Sequence, residues 1–193
     1  MLNLKLATDP RWVNLAEKNI SEILTDHAYC EQKAANSCIS LIVVYPDLKP
    51  IVEALTPIVT EEWGHFSMVL KEIYNRGFQL GFPRKDEYVN ALLTFQKRQG
   101  KREDVLVEKL LTNALIEARS CERFRLLSLE LEDAYLKNFY HSFMISEAGH
   151  YRLFMDLARI YKDKLYVDNR WQEYLNYEVD IFKTIKIRGD RMH

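Results

Sequence analysis

Apolar residues recur along most of the chain at the three- and four-residue spacing of amphipathic α-helices. Only 6 glycines and 5 prolines interrupt these patterns in 193 residues, so the sequence predicts an all-α protein. Pro57 lies inside one long pattern and predicts a kink there. Four long helices are expected to form the core, over about residues 21–45, 47–76, 102–129 and 132–161.

Shorter helices are predicted outside these four. They would begin at Asp9-Pro10, at Asp86 and at Asp168, which are residue types that favour a helix start. The helix that begins at Asp86 is expected to end at Gly100, and the terminal one at about Ile185. A connection that holds an extra helix between the two halves of the chain is typical of a ferritin-like four-helix bundle with one long crossover.

The motif Glu-x-x-His occurs twice, at Glu62 and His65 and again at Glu147 and His150. Residues three apart share a face of a helix, so each pair can direct a carboxylate and an imidazole at one point. A lone glutamate precedes each motif. Glu31 lies 31 residues before Glu62, and Glu117 lies 30 residues before Glu147. A helix, a short turn and an antiparallel return of similar length place residues at that separation opposite each other.

The repeated spacing predicts a dinuclear metal centre. Four carboxylates and two imidazoles are the ligand set of di-iron and di-manganese sites in helical bundles, and carboxylate with imidazole suits iron or manganese. Glu62 and Glu147 are the expected bridges between the metals. The alternative interpretation is that these residues are ordinary surface and core residues. The six predicted ligands are Glu31, Glu62, His65, Glu117, Glu147 and His150.

Composition narrows the class of protein. The length of 193 residues, with 48% hydrophobic and 28% charged residues, predicts one globular domain over residues 1–193. No apolar run is long enough to span a bilayer, and the first residues lack the pattern of a signal peptide, so we expect a cytoplasmic protein. Three cysteines without a Cys-x-x-Cys motif argue against a disulfide framework and against a rubredoxin-type centre.

Residues one turn from the predicted ligands are candidate neighbours of the metal. His27 precedes Glu31 by one turn, and Cys121 follows Glu117 by one turn. Core packing is the favoured role for Cys121. His27 is interpreted as a neighbour of the metal, a core residue or a surface residue. His141 is off the predicted ligand face.

Four segments contain the predicted ligands and carry a family resemblance. They read DHAYCEQKAANSC, TEEWGHF, ALIEARSCERF and SEAGHYRLF. They resemble the tRNA 2-methylthio-N6-isopentenyladenosine hydroxylases, which are ferritin-like di-iron monooxygenases. The similarity runs from about Leu4 to Tyr177, and all six ligand positions of that family are occupied here.

The resemblance implies a hydroxylation that consumes O₂. Its substrate would be the isopentenyl group of the modified adenosine next to the tRNA anticodon, and its cofactor two iron ions. One oxygen atom enters an allylic C–H bond and the other leaves as water, so the reaction needs two electrons. The chain has no flavin or iron–sulfur motif, and an external reductase is therefore expected as a partner.

Contact with tRNA requires a surface that attracts phosphates. The net charge of −1 does not indicate a nucleic-acid binder, but local clusters of lysine and arginine are present. Such clusters are also common on solvated helix faces. The residues favoured for RNA binding are Lys97, Arg98, Lys101, Arg102, Arg188 and Arg191.

Three other functions use parts of the same pattern. An iron-storage or ferroxidase bundle needs the same ligands together with a surface that forms a shell. A rubrerythrin-type oxidase also shares the ligands, but the missing cysteine pairs disfavour it. A purely structural bundle would carry these side chains without binding metal.

Overall fold

The structure of the protein is a computed structural model, which describes residue 2 and residues 4–193. Seven helices, and no β-strand, occur in this described part, so the predicted all-α class is confirmed. The helices are α1 (Arg11–Glu17), α2 (Ile20–Val44), α3 (Lys49–Asn75), α4 (Glu87–Phe95), α5 (Arg102–Glu130), α6 (Ala134–Tyr161) and α7 (Lys164–Thr184).

The described chain divides into two compact units. The N-terminal unit comprises Arg11–Lys85 and Arg188–Met192. The C-terminal unit comprises the described residues up to Pro10, Asp86–Ile187 and His193. The expectation of one domain over residues 1–193 stays a prediction.

The N-terminal unit is built on α2 and α3, which pack against each other and are joined by a short connection. Pro57 lies within the continuous helix α3, and the predicted kink stays a prediction. Gly77 ends this helix with a φ of 74°, a left-handed conformation that glycine adopts without steric cost. The buried apolar side chains of the pair include Leu24, Ala28, Leu41, Leu55 and Val69.

The segment Arg188–Met192 belongs to the N-terminal unit, although it lies far from the rest of that unit in sequence. The indole N–H of Trp12 donates to the carbonyl of Arg191 at 3.2 Å. The backbone N–H of Met192 donates to the carboxylate of Asp26 at 2.8 Å. These two bonds attach the segment to α1 and α2, which lie near the start of the sequence.

Close packing fixes the same segment at Gly189. A Cβ atom on this residue would lie 2.3 Å from the carbonyl oxygen of Leu15, which no side chain tolerates. Arg84 also donates to the backbone carbonyl of Asp190 at 3.0 Å. Residue 189 therefore has to be glycine in this arrangement.

The C-terminal unit is built on α5 and α6, which pack against each other, while α7 contacts both and α4 contacts α5 and α7. Aromatic rings fill part of this core. The Phe124 ring lies 5.6 Å from those of Tyr140 and Phe143, and the Phe139 ring lies 4.9 Å from that of Phe143.

Two buried ion pairs join α5 to α7. The Arg119 guanidinium binds both carboxylate oxygens of Glu178, at 3.0 and 2.9 Å, and also donates to the carbonyl of Leu6 at 2.9 Å. Arg170 binds both oxygens of Glu108, at 2.7 and 2.8 Å. Bidentate pairing offsets the cost of burying these charges.

Two predicted helix boundaries are wrong, and a third is one residue out. Helix α2 begins at Ile20, with Asn19 in the cap position, one residue before the predicted start. Helix α4 ends at Phe95 and not at Gly100, because the chain turns to an extended conformation at Gln96.

The start of α7 is the third difference. Asp163 accepts a hydrogen bond from the backbone N–H of Tyr166 and begins the helix at Lys164. The predicted cap, Asp168, instead lies inside the helix, where its carboxylate pairs with Arg159. The predicted cap at Asp86 is confirmed, because its carboxylate accepts the N–H of Val89. Within residue 2 and residues 4–193, no helix is both long and apolar enough to cross a membrane.

Candidate metal centre

The N-terminal unit brings together Glu31 of α2 with Glu62 and His65 of α3. Each of the three offers a ligand atom, and these atoms lie within 4.8 Å of one another. His65 Nδ1 is 3.2 Å from a Glu62 oxygen and 3.4 Å from a Glu31 oxygen. We refer to these three residues as the N-terminal half-site.

The carboxylates of this half-site are almost inaccessible. Glu62 is 0% exposed and Glu31 is 3% exposed. Two buried carboxylates so close together are costly unless a cation neutralises them. The arrangement therefore fits a positively charged ligand.

Protonation of His65 provides part of this neutralisation in the metal-free protein. Burial lowers the pKa of His65, but hydrogen bonds and charge from Glu31 and Glu62 outweigh burial and raise it to about 10. A metal ion competes with that proton, because imidazole binds metal only in its deprotonated form. On the other side of the ring, Nε2 lies 3.8 Å from a Glu61 oxygen.

His27 is a buried neighbour of this half-site. It is 0% exposed, which excludes the surface role considered from the sequence. Its Nε2 atom lies 2.6 Å from Oε1 of Glu31, while the other oxygen of that carboxylate faces His65. The contact holds one oxygen of Glu31 and directs the second towards the other residues of the half-site.

The C-terminal unit brings together Glu117 of α5 with Glu147 and His150 of α6. Their ligand atoms also lie within 4.8 Å of one another, and His150 Nδ1 is 3.7 Å from a Glu147 oxygen. Nε2 of His150 is 3.5 Å from the hydroxyl of Ser146. We refer to Glu117, Glu147 and His150 as the C-terminal half-site.

A buried carboxylate oxygen in the C-terminal half-site has unused bonding capacity. Glu147 is only 2% exposed, and no described residue donates a hydrogen bond to its Oε2 atom. A buried acceptor without a donor is costly, so this oxygen is suited to bind a cation. Together with the carboxylate and imidazole types present, this observation fits iron or manganese.

The other candidate neighbours behave as core or surface residues. Cys121 is buried, and its thiol donates to the carbonyl of Met144 at 3.3 Å, which agrees with the favoured packing role. His141 is exposed. Cys30, Cys38 and Cys121 form no disulfide with one another.

The six residues favoured for RNA binding fall in different environments. Lys97, Arg98, Lys101 and Arg102 are exposed between α4 and α5. Arg188 forms an ion pair with Asp190 at 2.8 Å. Arg191 pairs with the same carboxylate at 3.1 Å, and its side chain is mostly buried. RNA binding by these residues stays a prediction.

Sequence reasoning missed the polar residues one turn before each histidine, Glu61 and Ser146. Helical spacing was the available signal, because residues four apart share a face. It also missed the buried pairs of Arg119 and Arg170, whose partners on other helices have no local signature.

Comparison with known proteins defines the class. A solved structure, described as protein 43 with aldehyde deformylating oxygenase activity from Synechococcus, superposes with a TM-score of 0.93 at 31% identity. The match covers 98% of this chain and 94% of that one. This neighbour has the ferritin-like fold, and the fold class predicted from the sequence is confirmed.

The family follows from sequence similarity. Residues 2–193 match the family described as tRNA-(MS2IO6A)-hydroxylase (MiaE), and the chain belongs to this family. A relative in Pseudomonas putida, named tRNA 2-(methylsulfanyl)-N(6)-isopentenyladenosine(37) hydroxylase, is 34% identical over 81% of this chain and 75% of its own length. A protein of the same name in Salmonella typhimurium is 28% identical, with the same shares covered. The resemblance inferred from the four ligand segments is confirmed.

Proposed function

We propose that this protein hydroxylates the isopentenyl group of 2-methylthio-N6-isopentenyladenosine in tRNA, next to the anticodon, with a di-iron centre and O₂. Membership of a tRNA hydroxylase family supports the reaction and the substrate. The observation that carries the chemistry is the repeated triad of two buried glutamates and one histidine, present once in each unit.

The two half-sites together would hold two iron ions. Glu62 and Glu147 would each bind iron together with the histidine that lies beside it on the same helix. Glu31 and Glu117 would each bind one metal, as would His65 and His150. Two Fe(II) ions held by these residues would supply the redox chemistry for oxygenation of a C–H bond by O₂.

His27 would position Glu31 for this role. Nε2 donates a hydrogen bond to Oε1 of Glu31, and the other oxygen faces His65. Such neighbouring bonds fix the orientation of a ligand and tune its basicity. His27 would therefore hold the Glu31 carboxylate in the orientation in which Oε2 faces the half-site.

The balance of the reaction requires a partner. A C–H bond, O₂, two electrons and two protons give a C–OH group and one water. The two electrons come from a separate reductase, which we propose as the second partner after tRNA. Because tRNA is the substrate, we propose that the protein acts in the cytoplasm.

The test is an oxygenation assay with iron-loaded protein, a chemical reductant and isotopically labelled O₂. Substrates are tRNA that contains the methylthio-isopentenyl nucleoside, tRNA that lacks the isopentenyl group, and a long-chain aldehyde. Mass spectrometry of the digested nucleosides should show one labelled oxygen atom in the first sample only.

The sample with the long-chain aldehyde tests for the activity that is named for the Synechococcus protein. Conversion of the aldehyde without hydroxylation of tRNA would overturn the proposed function. Incorporation of unlabelled oxygen from water would exclude an oxygenase mechanism. A matched control is the Glu147→Ala variant, which should form no product in any arm.

A further inference from the structure

The connection between α4 and α5, residues 96–101, forms with Arg102 at the start of α5 a cationic surface that we call the basic loop. Its four cations, Lys97, Arg98, Lys101 and Arg102, are exposed. An open pocket of about 580 Å³ lies against the loop. The pocket is lined by Leu93, Thr94, Gln96, Lys97, Arg98 and Gln99.

Buried groups fix the backbone of the basic loop. The N–H of Lys97 donates to Glu108 at 3.0 Å, and that carboxylate is itself held by Arg170 at 2.8 Å. The side-chain amide of Gln96 donates to the hydroxyl of Thr112 at 3.0 Å. These bonds to α5 hold the loop backbone in one conformation, while the Lys97 side chain is exposed to solvent. A surface that is already ordered loses less entropy when a partner binds.

The acids that follow the loop in sequence leave the charge of Lys97 uncompensated. Asp104 pairs with Lys162 at 2.5 Å and also accepts the backbone N–H of Lys101 at 3.0 Å. Glu103 is the remaining exposed acid next to the loop. Within the described residues, no carboxylate pairs with the ammonium group of Lys97.

The distance along α5 shows which part of a substrate the loop can reach. Arg102 is the first residue of this helix, and Glu117 follows 15 residues later. At a rise of 1.5 Å per residue, the start of the helix lies about 22 Å from the metal ligand. A nucleoside in contact with the metal cannot reach the loop, whereas the backbone of an RNA arm can.

We propose that the basic loop is the docking site for backbone phosphates of the tRNA anticodon arm. This inference rests on the proposed function and adds the surface that recognises its substrate. Lys97 and Arg98 contact phosphates on the rim of the pocket, and Lys101 and Arg102 extend the cationic surface along the loop. Arg188 and Arg191 are not assigned to it, because both pair with Asp190.

The test compares two double variants that remove equal charge. Lys97→Ala/Arg98→Ala alters the basic loop, and Lys183→Ala/Lys186→Ala alters exposed lysines at the end of α7 and just after it. Iron-loaded proteins are titrated with a fluorescent anticodon stem-loop at several salt concentrations. The loop variant should bind about tenfold more weakly, and its log–log salt slope should fall by about two, one for each lost phosphate contact. The α7 variant should match the wild type.

Hydroxylation rates separate docking from chemistry. The loop variant should lose kcat/KM on tRNA by the same factor as affinity and keep its rate on the free modified nucleoside. Unchanged RNA binding, equal losses in both variants, or a parallel loss on the nucleoside would overturn the docking proposal. Failure of the wild type to hydroxylate tRNA would instead overturn the proposed function.

Discussion

The two half-sites contain the same ligand types at nearly the same spacing, yet they differ one turn away from the first glutamate. In the N-terminal half-site His27 lies four residues before Glu31 and contacts its carboxylate at 2.6 Å. At the corresponding position before Glu117 the chain carries Asn113. Of the two predicted terminal ligands, Glu31 therefore has an imidazole beside it. Glu117 has an amide residue four positions before it in sequence.

The two histidines also differ, in the side chain that lies nearest to their Nε2 atom. His65 has a carboxylate, that of Glu61, 3.8 Å from Nε2. His150 has the neutral hydroxyl of Ser146 at 3.5 Å from the same ring atom. Repeated spacing thus marks the candidate ligands, while the residues one turn away make the two half-sites chemically unequal.

Removal of a predicted bridge should have the largest effect and should not distinguish the two half-sites. Glu62→Ala and Glu147→Ala should each reduce bound iron from about two ions per chain to less than one, because a bridge serves both metals. Elemental analysis of protein reconstituted with iron measures this. The control is Glu53→Ala, an exposed glutamate of α3. Loss confined to one variant would show that only one of them bridges.

Replacement of His27 should have a smaller effect, limited to the N-terminal half-site. His27→Asn introduces the residue type found at the corresponding position of the other half. Iron affinity should fall by about tenfold, the scale typical for a residue that orients a ligand. Asn113→Ala is the matched control and should change affinity by less than about twofold. Competition with a chelator gives both values, and equal effects would remove the proposed asymmetry.

The buried thiols provide the smallest difference between the halves. Burial, with a contribution from Glu62, raises the pKa of Cys38 to about 12. Burial, with a contribution from Glu147, raises that of Cys121 to about 11. At pH 8 about one in a thousand Cys121 thiols is ionised, and about one in ten thousand for Cys38. Alkylation followed by mass spectrometry should therefore modify Cys30 first, then Cys121, and Cys38 last.

Unfolded protein supplies the control for this order. In denaturant all three cysteines should react at similar rates, because burial is lost. Rapid modification of Cys38 in the native protein would show that α2 opens locally under these conditions.

Helical periodicity was sufficient to predict the fold class and the four long helices. It succeeded because α2, α3, α5 and α6 each bury a regular apolar face. The family was accessible from the sequence because its ligand segments are short and local. Convergence of the six ligands on one centre stays a prediction that the two separate triads support.

The ends of the short helices depended on distant contacts and were not predictable. Helix α4 stops at Phe95 where Glu108, on another helix, accepts the N–H of Lys97. Asp163 and Asp168 are equally good caps by residue type. In the structure Asp163 accepts the N–H of Tyr166 and begins the helix, whereas Asp168 lies inside it and pairs with Arg159.

The attachment of Arg188–Met192 to the N-terminal unit bears on the order in which the chain folds. The bond from Met192 to Asp26 joins residues 166 positions apart, and the bond from Trp12 to Arg191 spans 179. Contacts of such high sequence separation form late, because closing a long loop costs entropy before it gains contacts. A ribosome would have to release almost the whole C-terminal unit before α2 could acquire its final partners. During synthesis, the helices that carry Glu31, Glu62 and His65 would therefore stay incompletely packed until Arg188–Met192, more than a hundred residues downstream, has been synthesised.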